Sequence, residues 1–160
     1  MKKIPLTKNK VAIVDDEDFE WLSKYKWRAE KKAQTFYAVR SSKVINHKRI
    51  SIKMHRLILK IEDRKIKCDH INRNGLDNQK HNLRIATSSQ NNSNRMSRPG
   101  STSKYLGVCW NKSRRKWQAN ISKNGRTFYL GLYDLEIDAA KKYNEMAPKI
   151  HGEFANLNKI

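Results

Sequence analysis

The sequence predicts an α+β protein built from two small modules. One is a strand–loop–strand–helix unit, and the other is a three-stranded antiparallel sheet packed on one helix. Three observations carry this. Asn124-Gly125 sits between two strand-like runs and suits the positive φ angles of a tight hairpin turn. Ala139, Ala140, Tyr143, Met146, Ala147 and Ile150 recur at helical spacing just after that hairpin. Upstream, a short turn-rich gap separates Cys68-Asp69-His70 from Asn82-Leu83-Arg84-Ile85, as expected of strands that return on each other.

Composition narrows the partners before any motif is considered. The 160 residues include 35 Lys and Arg against 15 Asp and Glu, a formal net charge of +20. The apolar fraction is only 38%. Such a chain has a small core and calls for a polyanionic partner. Between Asp77 and Asp134 no acidic residue occurs, while eleven basic ones do. A solvated surface would mix the two signs over so long a stretch, so nucleic acid is the expected partner. Cys68 and Cys109 stand far apart and outside any CxxC arrangement, which excludes a cysteine-rich structural zinc site and a disulfide framework. Both read as buried thiols of a reducing compartment. No apolar run approaches a membrane span, and Met1-Lys2-Lys3-Ile4-Pro5 lacks a signal-peptide core. A cytoplasmic, intracellular protein is expected.

Residues 1–53 read as an α+β lead-in packed on the following module. Lys10 to Val14 is a strand, and Asp15-Asp16-Glu17-Asp18 suits a capped helix start, where the dipole favours negative charge. A metal site in that cluster is the weaker alternative. Phe19, Leu22 and Tyr25 continue at helical spacing, while Phe36 to Arg40 and Arg49 to Lys53 read as paired strands. Met54 to Leu59 is a short helix. Within it, Arg56 is either a phosphate contact or an ordinary surface cation, and His55-Arg56 stays outside the candidate site.

Residues 54–95 carry the chemistry. An Asp69-His70 pair can hold a hard divalent cation and place a base beside it. Neighbours on a regular strand face opposite ways, so the two share a site only where the strand ends or twists. Asp69-His70, Asn82-Leu83 twelve residues on, and the amide-rich run Gln90-Asn91-Asn92 resemble the HNH nuclease family. That resemblance implies a ββα-metal fold that cuts phosphodiesters with one metal and one histidine. It makes His70 the general base and Asp69 a metal ligand, with Asn82 bracing the hairpin and Asn91 supplying the second ligand. Gln90, Asn92 and Asn94 are neighbouring alternatives to Asn91. Few protein ligands, all oxygen, suit Mg²⁺ or Mn²⁺. His81 is expected on the surface or facing DNA.

Residues 96–103 have the Pro, Gly and Ser content of a linker, with Arg95 and Arg98 placed to follow a nucleic-acid backbone. Residues 104–160 form the second module. Its Asn-Gly turn pairs Ser122 with Thr127, Ile121 with Phe128, Asn120 with Tyr129, Ala119 with Leu130 and Trp117 with Leu132. One face then carries Trp117, Ala119, Ile121, Phe128, Leu130 and Leu132. The other carries Gln118, Asn120, Ser122, Thr127 and Tyr129. A helix capped by Asp134 must cover the apolar face, leaving a polar face edged by Lys112, Arg114, Arg115 and Lys116. Such a sheet fits a major groove. Gly107-Val108, Lys116-Trp117, Tyr129-Leu130-Gly131, Asp138-Ala139-Ala140 and Gly152 to Asn158 resemble the APETALA/ethylene-response-factor DNA-binding domain. That family's groove-facing positions map onto Lys116, Asn120, Ser122, Thr127 and Tyr129. Two of its basic positions fall on Leu106 and Cys109, so its sequence specificity does not transfer. Pro148 should bend or end the helix.

Together these readings describe a metal-dependent HNH endonuclease of the homing type. It acts on double-stranded DNA as a monomer, by nicking or by cutting both strands, and a phage or mobile-element gene suits the resemblance. Three rivals follow: a DNA-binding protein with an inactive HNH half, a general nucleic-acid coat protein, and an RNA-cutting enzyme. A deep A-form major groove disfavours the last.

Overall fold

A computed structural model describes residues 1–32, 34–42, 50–97 and 100–160. Arg49 and Arg98, assigned above to a strand and to the linker, lie outside the described residues. The chain divides into two compact units, Met1–Ala86 and Thr87–Ile160. The stretch 96–103 expected as a linker therefore falls inside the second unit. There Ser97 Oγ donates to the Ser103 carbonyl at 3.1 Å, and Ser103 Oγ donates to Glu136 Oε1 at 2.6 Å.

In the first unit, β1 (Lys2–Pro5) pairs antiparallel with β2 (Val11–Val14). Helix α1 (Asp16–Leu22) follows, then β3 (Arg28–Lys32), β4 (Thr35–Ser41) and β5 (Ser51–Lys53) in one antiparallel sheet. Helix α2 (Met54–Ile58) leads into the hairpin of β6 (Lys67–His70) and β7 (Leu83–Ala86). Ile4, Ala12, Val14, Leu22, Trp27, Ala38, Met54, Ile58 and Leu83 form one core. Each large apolar side chain buried there contributes roughly 1.5–3 kcal/mol, and the set includes lead-in and hairpin residues alike.

Backbone bonds tie the lead-in to the loop between β6 and β7. Ile13 N donates to Leu76 O at 2.8 Å, and Asn78 N donates to Ile13 O at 2.7 Å. The acidic run starts α1 as expected, with Asp16, Glu17 and Asp18 in the first turn, and it also reaches beyond the helix. Asp15 stands at the N-cap without a side-chain cap bond, and its carboxylate instead accepts from Lys80 N at 2.7 Å and Gln79 Nε2 at 3.2 Å. Lys80 Nζ then reaches Glu17 at 2.7 Å and Asp18 at 3.5 Å. The cluster holds the short 3-10 turn Lys80–Asn82 that precedes β7.

In the second unit, α3 (Ser88–Ser93) begins in a capping box between Thr87 and Gln90. The sheet has the order β10-β9-β8, with β8 at Val108–Asn111, β9 at Lys116–Lys123 and β10 at Arg126–Tyr133. Helix α4 (Glu136–His151) packs on it through buried Ala139, Ala140, Tyr143 and Ala147. Near the turn the register is the expected one: Thr127 pairs Ser122, Phe128 pairs Ile121 and Tyr129 pairs Asn120. Beyond it a bulge intervenes. Ala119 pairs with Gly131 rather than Leu130, and Trp117 with Tyr133 rather than Leu132. Gly131 has φ +130°, and a Cβ there would lie 2.9 Å from Tyr133 Oη. Only glycine tolerates that backbone and that ring. The extra residue moves Tyr133 to the helix-facing side in place of Leu132, while Leu130 still reaches the core.

Two further expectations change. Leu135, not Asp134, is the N-cap of α4, and it makes no side-chain cap bond. Asp134 pairs instead with Lys116 at 3.1 Å, where both are exposed. Pro148 sits inside the helix, which runs on to His151 and closes when Gly152 N donates to the Pro148 carbonyl. The proline ring leaves the Asn144 carbonyl without the usual i→i−4 helical bond. Cys68 and Cys109, expected to be buried, are half-buried free thiols; Cys68 packs against the first unit's core, and burial pushes its thiol up to about 12.

Candidate active site and nucleic-acid interface

Strand β6 ends at His70, and the chain turns immediately as Arg73 N donates to His70 O at 2.8 Å. This ending lets two neighbouring side chains both be enclosed: Asp69 is 6% exposed and His70 5%. Asp69 is the register partner of Arg84. Arg84 Nε and Nη2 donate to Asp69 Oδ2 at 2.9 and 2.7 Å. His70 Nε2 lies 3.5 Å from Asn78 Oδ1, at the long end of hydrogen bonding. Burial lowers the His70 pKa below the ordinary histidine value, against the opposing pull of the Asn78 bond and the charges of Asp69 and Asp77. Burial thus favours the neutral ring, the form that can accept a proton.

Asn82, 2% exposed, organises the loop that closes the hairpin. Its Oδ1 accepts from Asn72 N at 2.9 Å, and its Nδ2 donates to Asn72 Oδ1 at 3.0 Å and to Asp77 O at 2.8 Å. The backbone carbonyl of Asn82 accepts from Ile71 N at 2.9 Å, directly after His70. A buried amide with three side-chain bonds is a structural pin for the turn that ends β6.

Asn91 is exposed on α3 and lies in the second unit. Among its neighbours, Gln90 spends its amide oxygen on Thr87 N at 2.8 Å in the capping box. Asn92 is exposed and Asn94 buried. His81 is exposed. Arg56 donates to the carbonyls of Ile66 and Asp63, each at 2.7 Å, which staples the loop after α2.

On the open side of the second unit's sheet, polar side chains form a ladder. Asn111 Nδ2 donates to Gln118 Oε1 at 2.8 Å, Gln118 Nε2 donates to Asn120 Oδ1 at 3.0 Å, and Ser122 Oγ meets Thr127 Oγ1 at 2.9 Å. Tyr129 stands 60% exposed on the same face. Arg114 and Arg115 are exposed in the turn between β8 and β9, and Lys116 begins β9. Sequence reasoning anticipated this face because alternation and the Asn-Gly turn fix it locally. It missed His55, Tyr37 and Asn78 around His70, and the Arg84 partner of Asp69. The His55-Arg56 dipeptide was the one visible signal, and cross-strand partners are unreadable before register is known.

A family model described as the AP2 domain matches residues 103–153, the segment that folds into this sheet and helix. An AP2 domain is a DNA-binding module. The chain is 34% identical over 158 residues to an uncharacterized HNH endonuclease of Acanthamoeba polyphaga mimivirus, covering 96% of this chain and 77% of that relative. It is also 31% identical over 89 residues to Protein 3.8 of Escherichia phage T7, covering 56% of this chain and 73% of that protein. The chain belongs to the HNH endonuclease family and carries an AP2 domain. Among the described residues, no helix is long and apolar enough to cross a membrane.

Proposed function

We propose that this protein is a metal-dependent HNH DNA endonuclease of the homing type, whose AP2 domain binds the target. The observation that carries the reading is the enclosed Asp69-His70 pair at the end of β6, with His70 facing Asn78. In this reading residues 54–95 are the ββα-metal nuclease core and residues 104–160 the DNA-binding module. His70 takes a proton from water; the water oxygen bonds to phosphorus while the bond from phosphorus to the 3′ oxygen breaks. Asn82 holds the turn that sets the His70 backbone. Asp69 and Asn91 offer one carboxylate and one amide, an all-oxygen donor set that fits Mg²⁺ or Mn²⁺. The cation would stabilise charge on the scissile phosphate and the departing oxygen. Arg114, Arg115 and Lys116 contact phosphates, while Asn120, Ser122, Thr127 and Tyr129 read the groove. A monomer with one such site nicks one strand per binding event or cuts both strands in succession.

One observation favours a second reading. Arg84 already occupies Asp69 Oδ2 with two bonds, as in a purely structural ion pair. A sequence-specific DNA-binding protein with an inactive HNH half would look like this. Supercoiled plasmid carrying candidate target DNA, incubated with Mg²⁺ or with EDTA, separates the two. Relaxation that needs the metal and is lost in His70→Ala is the expected result. Binding without cutting under several divalent metals selects the second reading.

A further inference from the structure

His55 sits on α2 with 4% exposure, and its Nδ1 is buried without a hydrogen-bond partner. A buried polar atom in that condition asks for an explanation. The ring stands edge-on to the His70 ring, with centroids 4.9 Å apart and planes at 89°. Tyr37, on β4, lies 5.5 Å from His55 and 5.7 Å from His70, so each ring touches the other two. Ring contacts are what tie His55 to His70 and Tyr37. Edge-to-face rings resist rotation of each other, because the preferred geometry sets partial positive charge against a π face.

The opposite side of His70 is equally defined. Asn78 is fully buried, and its Nδ2 donates to Leu76 O at 3.1 Å. That bond assigns the amide, leaving Oδ1 toward His70 Nε2. Facing that acceptor, Nε2 is the ring nitrogen suited to carry the proton of neutral His70.

We infer that His55, backed by Tyr37, is a positioning residue that locks the His70 ring plane against Asn78 and so selects which ring nitrogen acts as the base. The inference rests on the reading of His70 as the base. Burial, followed by the nearby His70, lowers the His55 pKa to about 2, so it remains neutral beside His70. His55 itself transfers no proton in this scheme. A ring is what the position supplies.

The test compares wild type, His55→Ala and His55→Phe, with folding checked by circular dichroism. Two readouts are used: steady-state plasmid cleavage, and long-range ¹H–¹⁵N spectra of the imidazoles. His55→Ala is expected to lower kcat about 10²-fold with KM unchanged, as a misoriented base does. Its His70 signals should shift from the Nε2–H tautomer to a mixture. His55→Phe should keep most of the rate and the single tautomer. If His55→Ala does not fold, Tyr37→Leu removes the other ring and is expected to behave in the same way. Full activity in His55→Ala overturns the inference, as does a His55→Phe enzyme that is folded and equally impaired. Wild type that cuts no DNA with any divalent ion overturns the nuclease reading. An unchanged His70 tautomer in His55→Ala overturns this inference alone.

Discussion

Arg84 places two nitrogens on a single oxygen of Asp69, at 2.9 and 2.7 Å, across a register pair of the β6–β7 hairpin. Both side chains are mostly enclosed, 13% and 7% exposed. Arg84→Met removes the cationic partner of a buried carboxylate and should cost about 3 kcal/mol, read as a lower urea midpoint. If Asp69 is a metal ligand, millimolar Mg²⁺ should recover more stability in Arg84→Met than in wild type. EDTA should abolish that gain, and Asp69→Asn should show none. Thermal melts with and without Mg²⁺ decide it.

Histidine burial makes folding sensitive to acid. The folded-state pKa of His55 lies near 2, against about 6.5 for an exposed histidine. Below pH 6.5 the unfolded chain binds a proton that the folded chain refuses, so stability falls as pH falls toward 2. The slope from this residue approaches about 1.4 kcal/mol per pH unit. Above pH 6.5 it contributes no pH dependence. Urea unfolding from pH 7 to 4 should show the decline, and His55→Phe should remove its share.

Gly107 joins the second unit's sheet to its helix. Its φ is +75°, and a Cβ would run into the Tyr143 ring and the Asn120 carbonyl. That carbonyl's own residue donates its N–H to Gly107 O at 2.7 Å. Gly107→Ala combines left-handed strain with overpacking and should cost about 3 kcal/mol. Hydrogen exchange is expected to rise across residues 104–160 while residues 67–86 keep their protection. Equal loss in both segments would show that the two units unfold as one.

The polar face predicts two separable effects on DNA binding. Asn120→Ala breaks the amide ladder and should cost about 1–3 kcal/mol on the preferred sequence while relaxing that preference. Arg114→Ala with Arg115→Ala should weaken binding to all sequences and lower the salt slope by about two. Titrations at several salt concentrations, on preferred and scrambled duplexes, distinguish them.

Much of the second unit was legible because its determinants are local. Asn124 and Gly125 adopt φ of 52° and 78°, as a tight hairpin turn requires, and register next to them follows. The stripe of Ala139, Ala140, Tyr143 and Ala147 needs only helical periodicity to be seen. Legibility stopped at the Gly131 bulge, which transfers Tyr133 rather than Leu132 to the core side. For the acidic run the start of α1 was legible but not the side-chain partners, since Asp15 binds the turn at Gln79 and Lys80.

By itself, the sequence determined the sheet-and-helix module of the second unit, the excess of positive charge, the family and the strand on which Asp69 and His70 lie. These depend on spacing over a few residues, where backbone propensity and side-chain alternation dominate. Tertiary structure alone decided what surrounds those two side chains. His55 and Tyr37 meet His70 from other elements, Asn78 reaches it from across a loop, and Arg84 reaches Asp69 through strand register. No local preference encodes such neighbours, because they are selected by the packing of a shared core among elements far apart in the chain.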